Sequence, residues 1–137
     1  MRTAIIFFAE NSRDKMLQIT RALAKGIEAQ GHQVDIVDGG RDVNSKLTIY
    51  EYIAIGAEPL TFFSGKISER VGEFLSGSGI VSGKRSFAFT LKKGFGSNRA
   101  LTRLMKAMEH EGMYLKLSDI LTSAEEAEAI GKRLHVS

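Results

Sequence analysis

Apolar runs of strand length alternate with amphipathic helical segments along the whole chain, and this alternation limits the possible folds more than any other feature of the sequence. Residues 3–8 (TAIIFF) and 52–55 (YIAI) are continuous apolar runs, as expected of strands that are buried on both faces. Met16, Ile19 and Leu23 recur at helical spacing between them. Strands that alternate with helices predict a parallel sheet that carries helices on both faces.

The same scheme continues to the end of the chain. Ser123 and Glu126 form a capping box, which predicts the start of the last helix. Residues 38–50 have too little apolar periodicity for a long helix. Further strands are predicted at residues 33–37, 86–91 and 114–117, and further helical stripes consist of Ile67, Val71, Phe74 and Leu75, of Leu101, Leu104, Met105 and Met108, and of Ala127, Ile130 and Leu134.

The patterns also predict the order of the strands in the sheet. Residues 33–37 (QVDIV) and 114–117 (YLKL) alternate apolar and polar side chains, which is typical of edge strands with one less buried face. The first and third strands are apolar throughout and should be central. We therefore expect an α/β doubly wound three-layer sandwich with a five-stranded parallel sheet of order 2-1-3-4-5. A length of 137 residues predicts a single domain over residues 1–137.

Composition excludes several functional classes. The chain has no cysteine, which excludes disulfides, thiolate metal sites and a cysteine nucleophile. The apolar run at residues 4–9 is shorter than a signal-peptide core or a membrane span, so we expect a cytoplasmic protein without a membrane partner. The net charge of +3 arises from isolated Lys/Arg pairs, which are typical of a solvated surface, and no nucleic-acid partner is expected.

Three segments together resemble the flavodoxin family. They are AIIFFAENSRDKM at residues 4–16, YIAIGAEPLTFF at residues 52–63 and FAFTLKKGFGSNRA at residues 87–100. Their order matches that of flavodoxins, and the resemblance covers nearly the full chain. It implies a flavodoxin-like fold in which FMN lies across the carboxyl ends of the strands. The loop after the first strand would then enclose the phosphate, and the loops after the third and fourth strands would enclose the ring.

The implied phosphate loop departs from the family pattern. Flavodoxins have a Ser/Thr-rich loop with Gly-Asn-Thr, whereas this loop contains no glycine and one hydroxyl. Amides at the start of the following helix can still receive an anion, and an inward carboxylate at Glu10 would oppose it. The alternative is a capped helix start without a ligand. The residues that the resemblance implies for the phosphate are Asn11, Ser12, Arg13 and Lys15.

The two implied ring loops are closer to the family pattern. Gly-Ala-Glu-Pro stands where flavodoxins have Gly-Ser-Pro, with Glu58 inserted, and two aromatic residues follow it. Aromatic rings stack on a flavin, glycines allow close backbone approach, and amides at residues 94–96 would bond the pyrimidine edge. Alternatively, the rings pack beneath the next helix, and the glycines form a turn before a helix capped by Ser97 or Asn98. The ring residues implied by the resemblance are Pro59, Phe62, Phe63, Lys92, Gly94, Phe95 and Gly96.

Two functions of different classes are consistent with these features. The first is an FMN-binding redox protein, either an electron carrier or a small flavin-dependent reductase, with a redox protein or a small electron acceptor as partner. The cofactor carries the chemistry in such proteins, so neither a catalytic side chain nor a metal site is expected. The second is a flavodoxin-fold module that has lost FMN and binds a protein partner, because a fold alone does not establish a function.

Other enzymes and regulators with related folds are excluded. Phosphoacceptor receiver domains require an acidic pair after the first strand, an aspartate at the end of the third and a lysine after the fifth. Here Glu10 stands alone, Glu58 lies beyond the third strand, and Ser118 and Asp119 replace the lysine. The histidines fall at predicted helix exits or near the carboxyl terminus, which disfavours a hydrolytic triad at the rim of the sheet.

Overall fold

A computed structural model describes residues 1–42 and 45–136, in which strands and helices alternate as predicted. No helix occurs between the second and third strands in the described parts of that segment; Val43 and Asn44 of the predicted 38–50 link, and Ser137 of the predicted domain, lie outside the described residues. The elements are β1 (Arg2–Phe8), α1 (Arg13–Glu28), β2 (Gln33–Asp38), β3 (Tyr52–Ala57), α2 (Arg70–Ser76), β4 (Arg85–Leu91), α3 (Ser97–His110), β5 (Tyr114–Leu121) and α4 (Ala124–Arg133).

The strands form a parallel sheet of order β2-β1-β3-β4-β5, which confirms the predicted topology. Ile5 in β1 is paired with Ile36 on one side and with Ala54 on the other. All six residues of β3 are buried, whereas β2 and β5 contain exposed positions, as predicted for central and edge strands. The register shifts between Ser86 and Phe87, opposite β5.

The core consists of two layers, one on each face of the sheet. α1 and α4 cover one face with Ile19, Leu23 and Ile130 among the buried residues. α2 and α3 cover the other face with Phe74 and Leu104. The helices therefore lie on both faces, and this arrangement leaves the carboxyl ends of the strands open at one rim of the sheet.

Small boundary differences do not change this arrangement. Ile67 precedes α2, and Leu134 follows α4, so neither lies within the helix whose stripe it was predicted to join. Both side chains nevertheless pack against the core layers. The capping box is confirmed in part: the Ser123 hydroxyl accepts from the Glu126 amide at 3.1 Å, whereas the Glu126 carboxylate accepts from the Thr122 hydroxyl. No helix within the described residues is long and apolar enough to span a bilayer.

Candidate functional site

Three loops meet at the carboxyl ends of β1, β3 and β4. Phe8 at the end of β1 is paired with Ala57 at the end of β3, and Gly56 is paired with Phe89 in β4. This register brings together the three loops that the sequence resemblance singles out. A cleft of about 660 Å³, in the size range of small-molecule sites, is lined by the loops that follow β1, β2 and β3.

The Glu58 carboxylate binds the start of α1. The Glu58 side chain is 1% exposed. Its carboxylate accepts hydrogen bonds from three successive backbone amides, those of Glu10, Asn11 and Ser12, with distances of 2.5 Å to Asn11 N and 3.0 Å to Ser12 N. Such bonds from amides to a carboxylate are charge-assisted and strong. The amides that the resemblance assigns to a phosphate therefore already bind an anion of the chain itself.

Lys93 forms an ion pair with this carboxylate. Its Nζ lies 3.9 Å from Glu58 Oε2, and its side chain is about one-third exposed. Lys92, which the resemblance implies for the ring site, is exposed, and its backbone amide donates to the Leu121 carbonyl at 3.3 Å. The loop after β4 thus presents Lys93, and not Lys92, to the buried acid.

The other predicted phosphate residues do not converge on one anion. Ser12 is the N-cap residue of α1, but its hydroxyl makes no capping hydrogen bond. The Arg13 guanidinium donates to Asp38 at 2.8 Å and lies 5.6 Å from the centre of the Phe7 ring, so it is directed to β2. Lys15 is exposed on α1. The phosphate contacts that the resemblance implies for Arg13 and Lys15 therefore stay a prediction, with Arg13 bonded to Asp38 in this conformation.

The sequence identified Glu10 as the acid whose carboxylate would repel a phosphate, whereas in the structure the acid at this position is Glu58. Glu10 is exposed and contributes its backbone amide. The buried acid is Glu58, which the sequence showed only as an insertion between Ala57 and Pro59. A carboxylate directly after a buried central strand was the available signal, because an acid there needs internal hydrogen-bond donors.

Three exposed phenylalanines form a cluster on the loops after β3 and β4. Phe62, Phe63 and Phe95, here called the Phe cluster, are 52%, 63% and 76% exposed. The Phe63 and Phe95 rings are 16° from parallel with centroids 5.7 Å apart, and Phe62 meets both rings edge to face. The alternative in which these rings pack beneath the next helix is contradicted by their exposure.

The two loops that carry the Phe cluster are hydrogen-bonded to each other. The amides of Phe95 and Gly96 donate to the Phe62 carbonyl at 2.8 and 2.9 Å. Gly94 has a φ of +58°, and a Cβ there would lie 2.6 Å from the Phe62 ring, so glycine permits this close approach. Of the amides at residues 94–96 that the resemblance implies for the pyrimidine edge of a flavin, those of Phe95 and Gly96 therefore have an internal acceptor in this conformation, and their contact with a flavin stays a prediction.

Ser97 holds the loop after β4 through hydrogen bonds of its hydroxyl. Its hydroxyl accepts from the Lys93 amide at 2.8 Å and donates to the Leu91 carbonyl at 3.1 Å. The N-cap residue of α3 is Gly96, so neither Ser97 nor Asn98 caps this helix as predicted. Ser97 instead fixes the loop that presents Phe95.

The described residues fit a flat aromatic ring and do not fit an attached phosphate. The Phe63 and Phe95 rings are nearly parallel and exposed, and their 5.7 Å centroid separation would have to widen to two contact spacings, roughly 7 to 8 Å in all, for a flat ring to enter between them. At the start of α1, by contrast, the Glu58 carboxylate occupies the amides. Pro59, also predicted in the ring site, is buried beside Glu58.

Solved flavodoxins have a similar fold. Oxidised flavodoxin 1 from Bacillus cereus matches with a TM-score of 0.75 at 17% identity, covering 96% of this chain and 95% of that chain. Two-electron reduced flavodoxin from Megasphaera elsdenii gives 0.74 at 18% identity, covering 95% and 96%. A flavodoxin from the domain Archaea gives 0.69 at 19% identity, covering 96% and 94%. Comparison with protein-family models and with curated proteins gives no match. At these identities the likeness shows the fold, and the predicted flavodoxin-like fold is confirmed.

Proposed function

We propose that the protein is a redox protein that binds a flavin of the FMN type between the loops after β3 and β4. The observation that carries the proposal is the nearly parallel pair formed by Phe63 and Phe95 at the carboxyl rim of the sheet. The similar fold of oxidised and two-electron reduced flavodoxins supports it. The cytoplasmic location expected from the sequence stays a prediction.

The residues of the chain would act by binding and by exclusion of water. Phe63 and Phe95 would cover the two faces of a flat ring, and each stacked contact contributes about 0.5 to 1.5 kcal/mol beyond its buried area. The Phe62 ring lies edge-on to both of these rings and would close one side of the space between them. A bound flavin supplies the electron-transfer chemistry. The exposure of the cluster would leave the ring accessible to a redox protein or a small acceptor.

A second candidate is a flavin-free module that binds a protein partner through the Phe cluster. Its support is that amides in both implied flavin contacts already have acceptors within the chain. Glu58 accepts from the amides at the start of α1, and the Phe62 carbonyl accepts from those of Phe95 and Gly96. The loops thus hold their conformation through internal bonds. The two candidates differ in one measurable property, which is the affinity for a flavin.

A fluorescence titration of riboflavin with the purified protein tests the proposal. Binding should quench flavin emission, and Phe63→Ala and Phe95→Ala should each weaken it by about threefold to tenfold, since 1.4 kcal/mol corresponds to tenfold. Tyr114→Ala is a matched control, because Tyr114 is 57% exposed but lies at the amino end of β5. A wild-type protein that leaves the flavin spectrum unchanged at high micromolar concentration would favour the partner-binding module.

A further inference from the structure

We propose that Glu58 is a built-in substitute for a ligand's phosphate. Its carboxylate fills the anion position at the start of α1, so the protein does not accept a phosphate there and recognises a flavin by its ring alone. The filling of the anion position by Glu58 concerns the chain itself, whereas the recognition of a flavin by its ring rests on the proposed function. Glu58 is thereby a specificity-determining residue: while it fills the anion position, the site does not distinguish a flavin that carries a phosphate from one that does not.

The hydrogen-bond pattern is that of a bound anion. Three successive amides, at Glu10, Asn11 and Ser12, donate to one carboxylate, and Ser12 N lies within 3.1 Å of both of its oxygens. These are amides that precede or open α1, which have no acceptor within the helix. An anion at this place satisfies them and interacts favourably with the helix dipole.

The backbone of Glu58 is held in place on both sides. Its amide donates to the Phe8 carbonyl at 3.1 Å, which continues the pairing of β1 with β3. The Thr90 hydroxyl donates to the preceding carbonyl, that of Ala57, at 2.6 Å. The following residue, Pro59, is buried. The side chain is consequently aimed at the loop after β1 by the sheet itself, and the insertion after Ala57 has a structural role.

An incoming phosphate would have to displace this carboxylate or share the position with it. Sharing places two anions within hydrogen-bond range of the same amides, which is unfavourable in a buried site. Displacement removes Glu58 from its donors and from Lys93, the cation 3.9 Å away. The charge of Arg13 is already paired in this conformation, since a terminal nitrogen of its guanidinium donates to Asp38 at 2.8 Å.

The decisive experiment compares thermal unfolding of the flavin-free wild type and Glu58→Ala in chloride and in inorganic phosphate at equal ionic strength. Phosphate should raise the melting temperature of Glu58→Ala by about 3 °C or more beyond any shift of the wild type, because only the variant offers the three amides. Glu69→Ala is the control: it removes an exposed acid at the start of α2 and should respond to phosphate as the wild type does.

Equal stabilisation of the wild type and Glu58→Ala would overturn the proposal, because the anion position would then be open in both. Absence of any effect in both would overturn it as well, because the amides would then form no anion position. If Glu58→Ala does not fold, Glu58→Gln retains the side-chain length and removes the charge. Phosphate should then stabilise Glu58→Gln in the same direction, and a Gln variant that behaves like the wild type contradicts the proposal.

A flavin titration of Glu58→Ala separates this inference from the proposed function. FMN should bind Glu58→Ala at least about tenfold more tightly than riboflavin does, a difference of 1.4 kcal/mol. Riboflavin binding of equal strength in that variant would contradict the inference while leaving the ring site intact. If neither flavin binds, the proposed function fails, and selective stabilisation of the variant by inorganic phosphate still supports the role of Glu58.

Discussion

The carboxylate of Glu58 lies 2.5 Å from the amide nitrogen of Asn11, and this contact joins the end of β3 to the start of α1. It crosses the point in the sheet where the connections leave in opposite directions, the usual ligand crevice of an open α/β fold. The chain therefore supplies its own anion where the fold offers amides for one. Structural stabilisation and ligand selection consequently depend on the same side chain.

Replacement of Glu58 by alanine should destabilise the protein. Its carboxylate is the acceptor for three amides near the start of α1, and hydrogen bonds to charged groups contribute about 1.5 to 3 kcal/mol each before the cost of burying the charge. We expect a net loss of about 2 to 3 kcal/mol in the free energy of unfolding, measured by urea denaturation. Glu69→Ala should change it by less than about 0.5 kcal/mol. A Glu58→Ala variant as stable as wild type would show that water replaces the carboxylate without penalty.

The contact between α1 and α4 should tolerate no added methyl group. A Cβ on Gly131 would lie 2.4 Å from the Leu23 carbonyl oxygen, so Gly131→Ala must push the helices apart. Overpacking of this kind costs about 1 to 3 kcal/mol, which urea denaturation measures. The matched control is Gly72→Ala in α2, where a Cβ meets no atom within 4 Å. That variant should gain up to about 1 kcal/mol from helix propensity, and a Gly131→Ala variant with a similar gain would refute the close packing.

Tyr52 should make stability fall at alkaline pH. Burial raises the pKa of Tyr52 from 10 to about 12, against the lowering effect of Arg85. Because the folded state keeps the phenol protonated, its contribution is fully present below pH 10 and is lost as pH rises from 10 to 12. The loss should be about 2 to 3 kcal/mol.

Urea denaturation of wild type and Tyr52→Phe across this pH range measures the effect of Tyr52. The variant should show a shallower decline in stability. Burial, and then the hydrogen bond from the hydroxyl to Asp35, also raise the pKa of Tyr50, so the double variant with Tyr50→Phe should decline less still. Parallel curves for wild type and Tyr52→Phe would rule out this assignment.

The sheet was predictable because the pattern of apolar and polar side chains along a strand indicates how deeply that strand is buried. The apolar run that becomes β3 and the alternating run that becomes β2 differ in the way that central and edge strands differ, and this difference agrees with the strand order of doubly wound folds. The position of the three phenylalanines on loops at the carboxyl rim was also predictable, whereas their exposure required the structure and their role in binding stays a prediction.

The role of Glu58 could not be predicted from local patterns. Its partners at residues 10–12 are remote in sequence, and backbone amides leave no signature in the side chains of those residues. The direction of Arg13 depended likewise on Asp38, which reaches it only through the pairing of β1 with β2. A charged side chain at the carboxyl rim of the sheet can pair either with another residue of the chain or with a ligand, and its spacing along the sequence does not determine which of the two it contacts.

The most direct test of the account is the ratio of the dissociation constants of FMN and riboflavin for the wild-type protein, measured by fluorescence titration in one buffer. Recognition by the Phe cluster with the anion position filled by Glu58 predicts that both flavins bind and that the two constants agree within about threefold, less than 1 kcal/mol. FMN binding that is about a hundredfold tighter than riboflavin binding would contradict the account, because the phosphate would then be held by the amides that Glu58 occupies.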